Sequence, residues 1–228
     1  MNSNDIKRLE DRYVADTYAR YDVAIVRGAG ARCYDPEGKE YIDFTSGIGV
    51  NALGFCEPGW VRAVTEQAGK LQHTSNLLYT APCASAAEKM IRLSGMSNLF
   101  FCNSGAEANE GAIKTARKYS HQRYGAETEE AFGRYEIITL DGSFHGRTMA
   151  TITATGQESF HKDFSPFLQG FAYAKANDLG DLREKLSDRT CAIMIEFVQG
   201  EGGVNDLSRD YVEGIAELCA AKDILLIA

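Results

Sequence analysis

No stretch of this 228-residue chain approaches the roughly 20 apolar residues that a membrane-spanning helix requires. The opening, Met1-Asn2-Ser3-Asn4-Asp5, lacks the apolar stretch of a secretory signal, so a cytoplasmic protein is expected. Basic excess is missing as well. The formal net charge is -8, with no block of like charges. That argues against a nucleic-acid or anionic-membrane partner, whose binding needs a basic face. The six cysteines (33, 56, 83, 102, 191, 219) form no C-x-x-C pair, and the four histidines (73, 121, 145, 161) are too dispersed to form a ligand set. Reduced, buried thiols and no metal site are therefore expected, with Cys102 and Cys191, in or beside apolar runs, acting as small hydrophobes. A dinucleotide fingerprint is also lacking. Gly28-Ala29-Gly30 sits in a hairpin rather than ahead of a helix, which argues against an oxidoreductase built on G-x-G-x-x-G. There is no internal repeat and no low-complexity tract; Gly125 to Gly133, rich in Glu, reads as a solvated loop.

What is present is enough for a sizeable core, since 44% of the residues are hydrophobic. Residues 1 to about 22 read as a polar, helical lead. Val23–Val26 and Ala31–Asp35 read as two strands around a Gly-rich turn, and Tyr41–Phe44 as a third after the strong turn signal Asp35-Pro36-Glu37-Gly38. From residue 58 the pattern becomes helix alternating with strand. Helices are predicted at 58–71, 82–94, 105–120, 179–186 and 208–222, and strands at 99–102, 135–140, 191–196 and 224–228. This gives an α/β fold, a mainly parallel sheet flanked by helices at 58–228, preceded by a small α+β segment at 1–57. The last five residues read as a buried strand, so the chain is expected to be the front part of a longer protein.

Three polar motifs each follow an apolar run: Asn103-Ser104-Gly105-Ala106, Ser143-Phe144-His145-Gly146-Arg147 and Gln199-Gly200-Glu201-Gly202-Gly203. Ligands of an open parallel sheet bind beyond the carboxyl ends of its strands, so the three are expected to line one pocket. Each also has a plainer reading. Ser104 with Glu107 fits a capping box; small residues at 105, 106 and 108 equally fit a phosphate cradle, in which free N–H groups meet an anion. Phe144 is either a core aromatic or the wall of a planar ligand's site. Arg147 is either a surface charge or a planar fork for a carboxylate. Glu196, ending an apolar strand, needs a partner or a wet cleft. A structural salt bridge and a functional carboxylate both remain open for Glu196 and Glu201.

Taken together, the residues resemble the class III pyridoxal-phosphate-dependent aminotransferases, most closely the acetylornithine aminotransferase branch. The resemblance is carried by Gly38–Gly54, Phe101–Glu110, Ser143–Thr148 and Ile195–Gly203, in that order, and runs from about residue 12 to the end. It implies the fold type I of pyridoxal-phosphate enzymes, with 1–57 as the first part of a small domain and 58–228 as the front of the cofactor-binding large domain. Carried over, Ser104, Gly105 and Ala106 would hold the phosphate of pyridoxal 5'-phosphate, and Phe144 would stack on its ring. Arg147 would hold the substrate α-carboxylate, Glu201 would lie by the substrate, and Glu196 would support the site. The family's Schiff-base lysine and its Asp are expected beyond Ala228, so no catalytic residue is expected within the chain and the piece alone is expected to be inactive. Phe197 stands where the family usually has Pro, and Phe55-Cys56-Glu57 replaces a His-rich segment. The implied activity transfers the side-chain amino group of N-acetylornithine to 2-oxoglutarate, in arginine biosynthesis, within a homodimer. The same class also uses succinyldiaminopimelate, ornithine or 4-aminobutyrate as donors; a non-catalytic fragment is the distant alternative.

Overall fold

The computed structural model describes residues 1–125 and 133–228, and these divide into two compact units, Met1–Ala86 and Ala87–Ala228. The Glu-rich stretch expected as a loop lies mostly outside the described residues.

The first unit opens with α1 (Ser3–Tyr13). Asn2 caps it by accepting the Asp5 N–H at 2.9 Å, and the helical lead is shorter than expected. Three short antiparallel strands follow, β1 (Arg27–Ala29), β2 (Arg32–Tyr34) and β3 (Glu40–Ile42), in that order. The first strand begins at Arg27 and not at Val23. The Gly-rich stretch expected as the turn supplies the strand, and Gly30, at φ +56°, carries the reversal. The Asp35–Gly38 turn forms as the sequence indicates, with Gly38 at φ +90° donating its N–H to the Asp35 carbonyl at 3.1 Å. Then comes α2 (Pro58–Ala68), with Pro in its first turn and the Glu57 carboxylate accepting the Trp60 N–H at 2.6 Å. α3 (Ala81–Ser94) carries the chain out of this unit.

The second unit holds α4 (Gly105–Tyr124), β4 (Glu136–Leu140), α5 (Met149–Ala154), α6 (Glu158–His161), β5 (Phe171–Ala174), α7 (Leu179–Lys185), β6 (Thr190–Met194), the two-stranded hairpin β7 (Val198–Gln199) and β8 (Asn205–Asp206), α8 (Arg209–Lys222) and β9 (Leu225–Ile227). A fully parallel sheet forms in the order β5-β4-β6-β9. Alternation along β4 explains its two-sided burial. Ile138 and Leu140 face a core completed by Leu182, Ile193, Tyr211 and Ile215; Ile137 faces the other, with Ile113, Ala116, Ala150, Ala154 and Met194. The chain steps from β4 to β5 on one side and then returns to β6 on the other. That reversal places the crevice between β4 and β6 at a topological switch point, where ligands of such sheets bind.

Three expectations need correction. Residues 99–102 are not a strand: Phe100 is 70% exposed, and its ring lies against Gly111, where a Cβ would come within 3.2 Å. A four-residue apolar run has strand composition whether or not a ladder partner exists, and none exists here among the described residues. Cys102 is accordingly exposed, as are Cys56 and Cys83; only Cys33, Cys191 and Cys219 are buried, all six being free. Burial pushes the Cys191 and Cys219 thiols up to about 11, which keeps them protonated and unreactive. Finally, β9 is the half-exposed edge strand of the sheet rather than a buried one. No helix among the described residues is long and apolar enough to cross a membrane.

Candidate functional site

The site is built at the start of α4. Ser104 caps the helix, its Oγ accepting the Glu107 N–H at 3.1 Å. The return half of the expected capping box does not form. Glu107 reaches one residue further back, accepting the Asn103 N–H at 2.6 Å and the Asn103 side-chain amide at 2.9 Å. The N–H groups of the first helical turn have no intrahelical acceptor, and the dipole of a 20-residue helix adds positive potential there. A Cβ on Gly105 would meet nothing within 4 Å, so the space beside this turn is open. Capping and cradle are thus compatible: the Ser104 hydroxyl serves the helix, and the bare Gly105 backbone faces open space.

The loop after β4 is pinned against that turn. Gly146 adopts φ +128°, and a Cβ on it would lie 2.8 Å from the Cβ of Ala106 and 2.7 Å from the Thr151 hydroxyl. Only glycine allows this approach. Asn109, one turn into α4, donates its side-chain amide to the His145 carbonyl at 2.8 Å. Glu110 accepts the Thr148 hydroxyl at 2.5 Å and the Ala150 N–H at 3.3 Å. Phe144 donates its backbone N–H to Glu196 Oε1 at 2.8 Å, which ties the loop after β4 to the residue just past β6. The Arg147 guanidinium carbon lies 5.4 Å from the centre of the Phe144 ring and 5.5 Å from that of Phe160, and the two rings are 5.1 Å apart.

The third motif joins through the turn at Asp141-Gly142. Gln199, buried, donates its amide to the Asp141 carbonyl at 2.9 Å. A Cβ on Gly202 would fall 2.2 Å from the Gly142 carbonyl oxygen, so this contact also requires glycine. Glu201 is exposed in the loop between β7 and β8. The structure therefore brings Gly105, Ala106, Phe144, Arg147 and Glu196 to one crevice end, with Glu201 on the hairpin that packs beside it.

Burial sets the local electrostatics. The Glu196 carboxyl is half-buried and its pKa is raised by that burial, while the Phe144 N–H pulls the other way. Glu196 lies beyond the strand end, since β6 stops at Met194, and among the described residues it makes no salt bridge but serves the loop backbone. His145 is buried, which lowers its pKa to about 4, and its Nε2 has no hydrogen-bond partner among the described residues. At neutral pH it is uncharged.

Sequence reasoning gave no individual role to Asn109, Glu110 or Phe160, nor to Thr155, whose hydroxyl accepts the His145 N–H at 2.9 Å; Gln199 it named only as part of a motif. Asn109 and Glu110 lay within reach, because they follow Gly105 and Ala106 by four residues each, the spacing that returns to the same face of a helix. Phe160 gave no local signal. As a whole, the arrangement can hold a compact anion at a helix start, a flat group against an aromatic ring, and a carboxylate on an arginine fork.

Comparison with known proteins identifies the family. A family model described as aminotransferase class-III matches residues 13–228. The acetylornithine aminotransferase of Haemophilus ducreyi is 50% identical over the whole chain, which covers 56% of that protein. Its namesake from Methanocaldococcus jannaschii is 47% identical over 96% of the chain and 54% of its own length. Among solved structures, ornithine aminotransferase from Toxoplasma gondii superposes with a TM-score of 0.91 at 31% identity, covering 99% of this chain and 53% of that one. N-acetylornithine aminotransferase from Stenotrophomonas maltophilia gives 0.76 at 38% identity, over 96% of this chain and 52% of that one. The chain spans about half the length of the curated relatives it matches.

Proposed function

The chain belongs to the aminotransferase class-III family, and from that premise we propose that it forms the front part of an enzyme moving the side-chain amino group of N-acetylornithine to 2-oxoglutarate with pyridoxal 5'-phosphate. Residues 58–228 are the cofactor-binding part of the large domain in this reading, and 1–57 contribute to a small domain. The enzyme serves arginine biosynthesis as a cytoplasmic homodimer.

One observation carries the reading: Gly146 packs on Ala106, so the loop that bears the aromatic and cationic residues of one motif is held against the helix start of another. The open space at Gly105 fits a phosphate monoester at a helix start, where the helix itself offers the first N–H groups no acceptor. The Gly105 and Ala106 N–H groups bind that phosphate, and Ser104 freezes the turn that presents them. Phe144 lies against the flat ring, with its backbone fixed by Glu196. Arg147 receives the α-carboxylate of the donor, and Glu201 faces the substrate side. When bound, the cofactor supplies an aldehyde that carries the amino group and an electron sink for charge developing at the substrate carbon. The residues of this chain bind and orient; we assign none of them a proton-transfer step.

A second donor is favoured by one comparison. The higher structural overlap with an ornithine aminotransferase, against the higher sequence identity with acetylornithine aminotransferases, leaves free ornithine as the competing substrate. Measuring kcat/KM of the full-length enzyme for N-acetylornithine, ornithine, succinyldiaminopimelate and 4-aminobutyrate, each with 2-oxoglutarate, decides between them. A preference for N-acetylornithine of tenfold or more supports the first reading, and a reversed ratio replaces it with the second. Absence of transamination with all four overturns both. Sedimentation of the same preparation tests the dimer.

A further inference from the structure

We propose that Phe160 is a positioning residue for substrate binding: together with Phe144 it holds the Arg147 guanidinium in the orientation from which that group receives a carboxylate. The inference rests on the carboxylate role proposed above for Arg147. Arg147 sits in an exposed loop directly after Gly146. A long side chain there samples many rotamers, and a fork binds a carboxylate through two bonds only when it is already oriented. The two rings supply that restraint. Their centres are 5.1 Å apart with planes tilted by 55°, and the guanidinium carbon lies at 5.4 and 5.5 Å from them. Cation–π attraction to two rings favours a guanidinium held near both over one that swings through solvent.

Both rings are themselves anchored. Phe144 is held through its backbone by Glu196. Phe160 belongs to α6, whose neighbouring His161 bonds the Ile152 carbonyl at 2.9 Å and packs on Phe167 with ring centres 4.7 Å apart. The two phenylalanines also differ in duty. Phe144 is assigned to the cofactor ring, whereas among the described residues the ring contacts of Phe160 are with Phe144 and Arg147. Loss of the Phe160 ring should therefore weaken carboxylate binding and leave cofactor binding alone.

The test uses full-length enzyme loaded with pyridoxal phosphate, with glutarate, an unreactive dicarboxylate, as the calorimetric probe. Phe160→Leu is expected to raise the glutarate Kd and the donor KM by about three- to tenfold, the range a partly desolvated cation–π contact implies. The kcat should stay within about twofold, and the cofactor Kd from absorbance titration should not move. Phe160→Tyr, which keeps the ring face, should restore wild-type values. Phe160→Met, similar in volume without a ring, gives the same comparison if the leucine variant fails to fold. Unchanged glutarate binding in Phe160→Leu, or failure of Phe160→Tyr to rescue, overturns the inference. A parallel rise in cofactor Kd also overturns it, because that marks packing alone. Arg147→Ala separates the two levels. If it weakens glutarate binding while Phe160→Leu does not, only the positioning role falls; if neither does, the carboxylate role of Arg147 falls and takes this inference with it.

Discussion

The Cβ that Gly146 lacks would stand 2.8 Å from the Cβ of Ala106. Two sequence motifs far apart in the chain are thus in contact at a point where neither has room to give. Gly146→Ala forces a side chain into a positive-φ position and against the Ala106 backbone, whose Cα would be at 3.1 Å. Overpacking and left-handed strain together are expected to cost about 2–4 kcal/mol of folding stability. Urea unfolding of wild type and variant measures the loss. Because the loop and the helix start move apart, affinity for pyridoxal phosphate should fall in the same variant.

Gly105 should behave in the opposite way. No protein atom opposes a Cβ there, and its φ is not positive. Gly105→Ala is therefore expected to leave the melting temperature unchanged or raise it slightly, since alanine loses less backbone freedom on entering a helix. The methyl group would instead occupy the space proposed for phosphate. Cofactor Kd, read by absorbance titration, should rise by about tenfold or more, which corresponds to about 1.4 kcal/mol. A stable protein with normal cofactor affinity would remove the cradle from the site.

The two glycines also show which parts of the site the amino-acid sequence made legible. β4 and β6 were readable because both are buried on two faces, and burial of that kind demands an unbroken apolar run. α4 and α8 were readable because serine caps, Ser104 and Ser208, mark where they start. α5 was missed: its six residues have no polar face to create a period, since five of them are buried. Phe100 and Phe101 were misread because composition cannot report whether a ladder partner exists. Phe160 was invisible for a related reason. Its partners, Phe144 and Arg147, come from a different turn of the chain, and only the tertiary fold brings them together.

His145 gives the molecule a distinct acid response. Burial holds its pKa at about 4, below the ordinary 6.5. The unfolded chain takes up a proton near 6.5, whereas the folded chain resists until about 4. Stability contributed by the neutral imidazole is therefore complete above 6.5 and is lost progressively as pH falls from 6.5 to about 4. At 1.36 kcal/mol per pKa unit, the loss is on the order of 3 kcal/mol at most. Urea midpoints at pH 7, 6, 5 and 4 for wild type and His145→Gln isolate this share, since other groups titrate alike in both. The difference between the two proteins should narrow or reverse in favour of the variant on acidification; a constant difference would show that His145 does not titrate in this way.

Arg147 sets the sharpest test of substrate choice. In N-acetylornithine four carbons, Cα to Cδ, separate the α-carboxylate from the reacting amine, whereas 4-aminobutyrate has three between its carboxylate and amine. On the role proposed for Arg147, a fork set to the reach of the longer donor would not grip the shorter one while its amine is in place. Arg147→Ala is therefore expected to lower kcat/KM for N-acetylornithine by about 100-fold, roughly the 2–3 kcal/mol of a charge-assisted bidentate contact, chiefly through KM. The effect on 4-aminobutyrate should stay within about threefold, because that donor makes little use of the fork. Steady-state kinetics with both donors reads the contrast directly, and equal losses would mean that Arg147 acts on the cofactor or the fold instead of on the carboxylate.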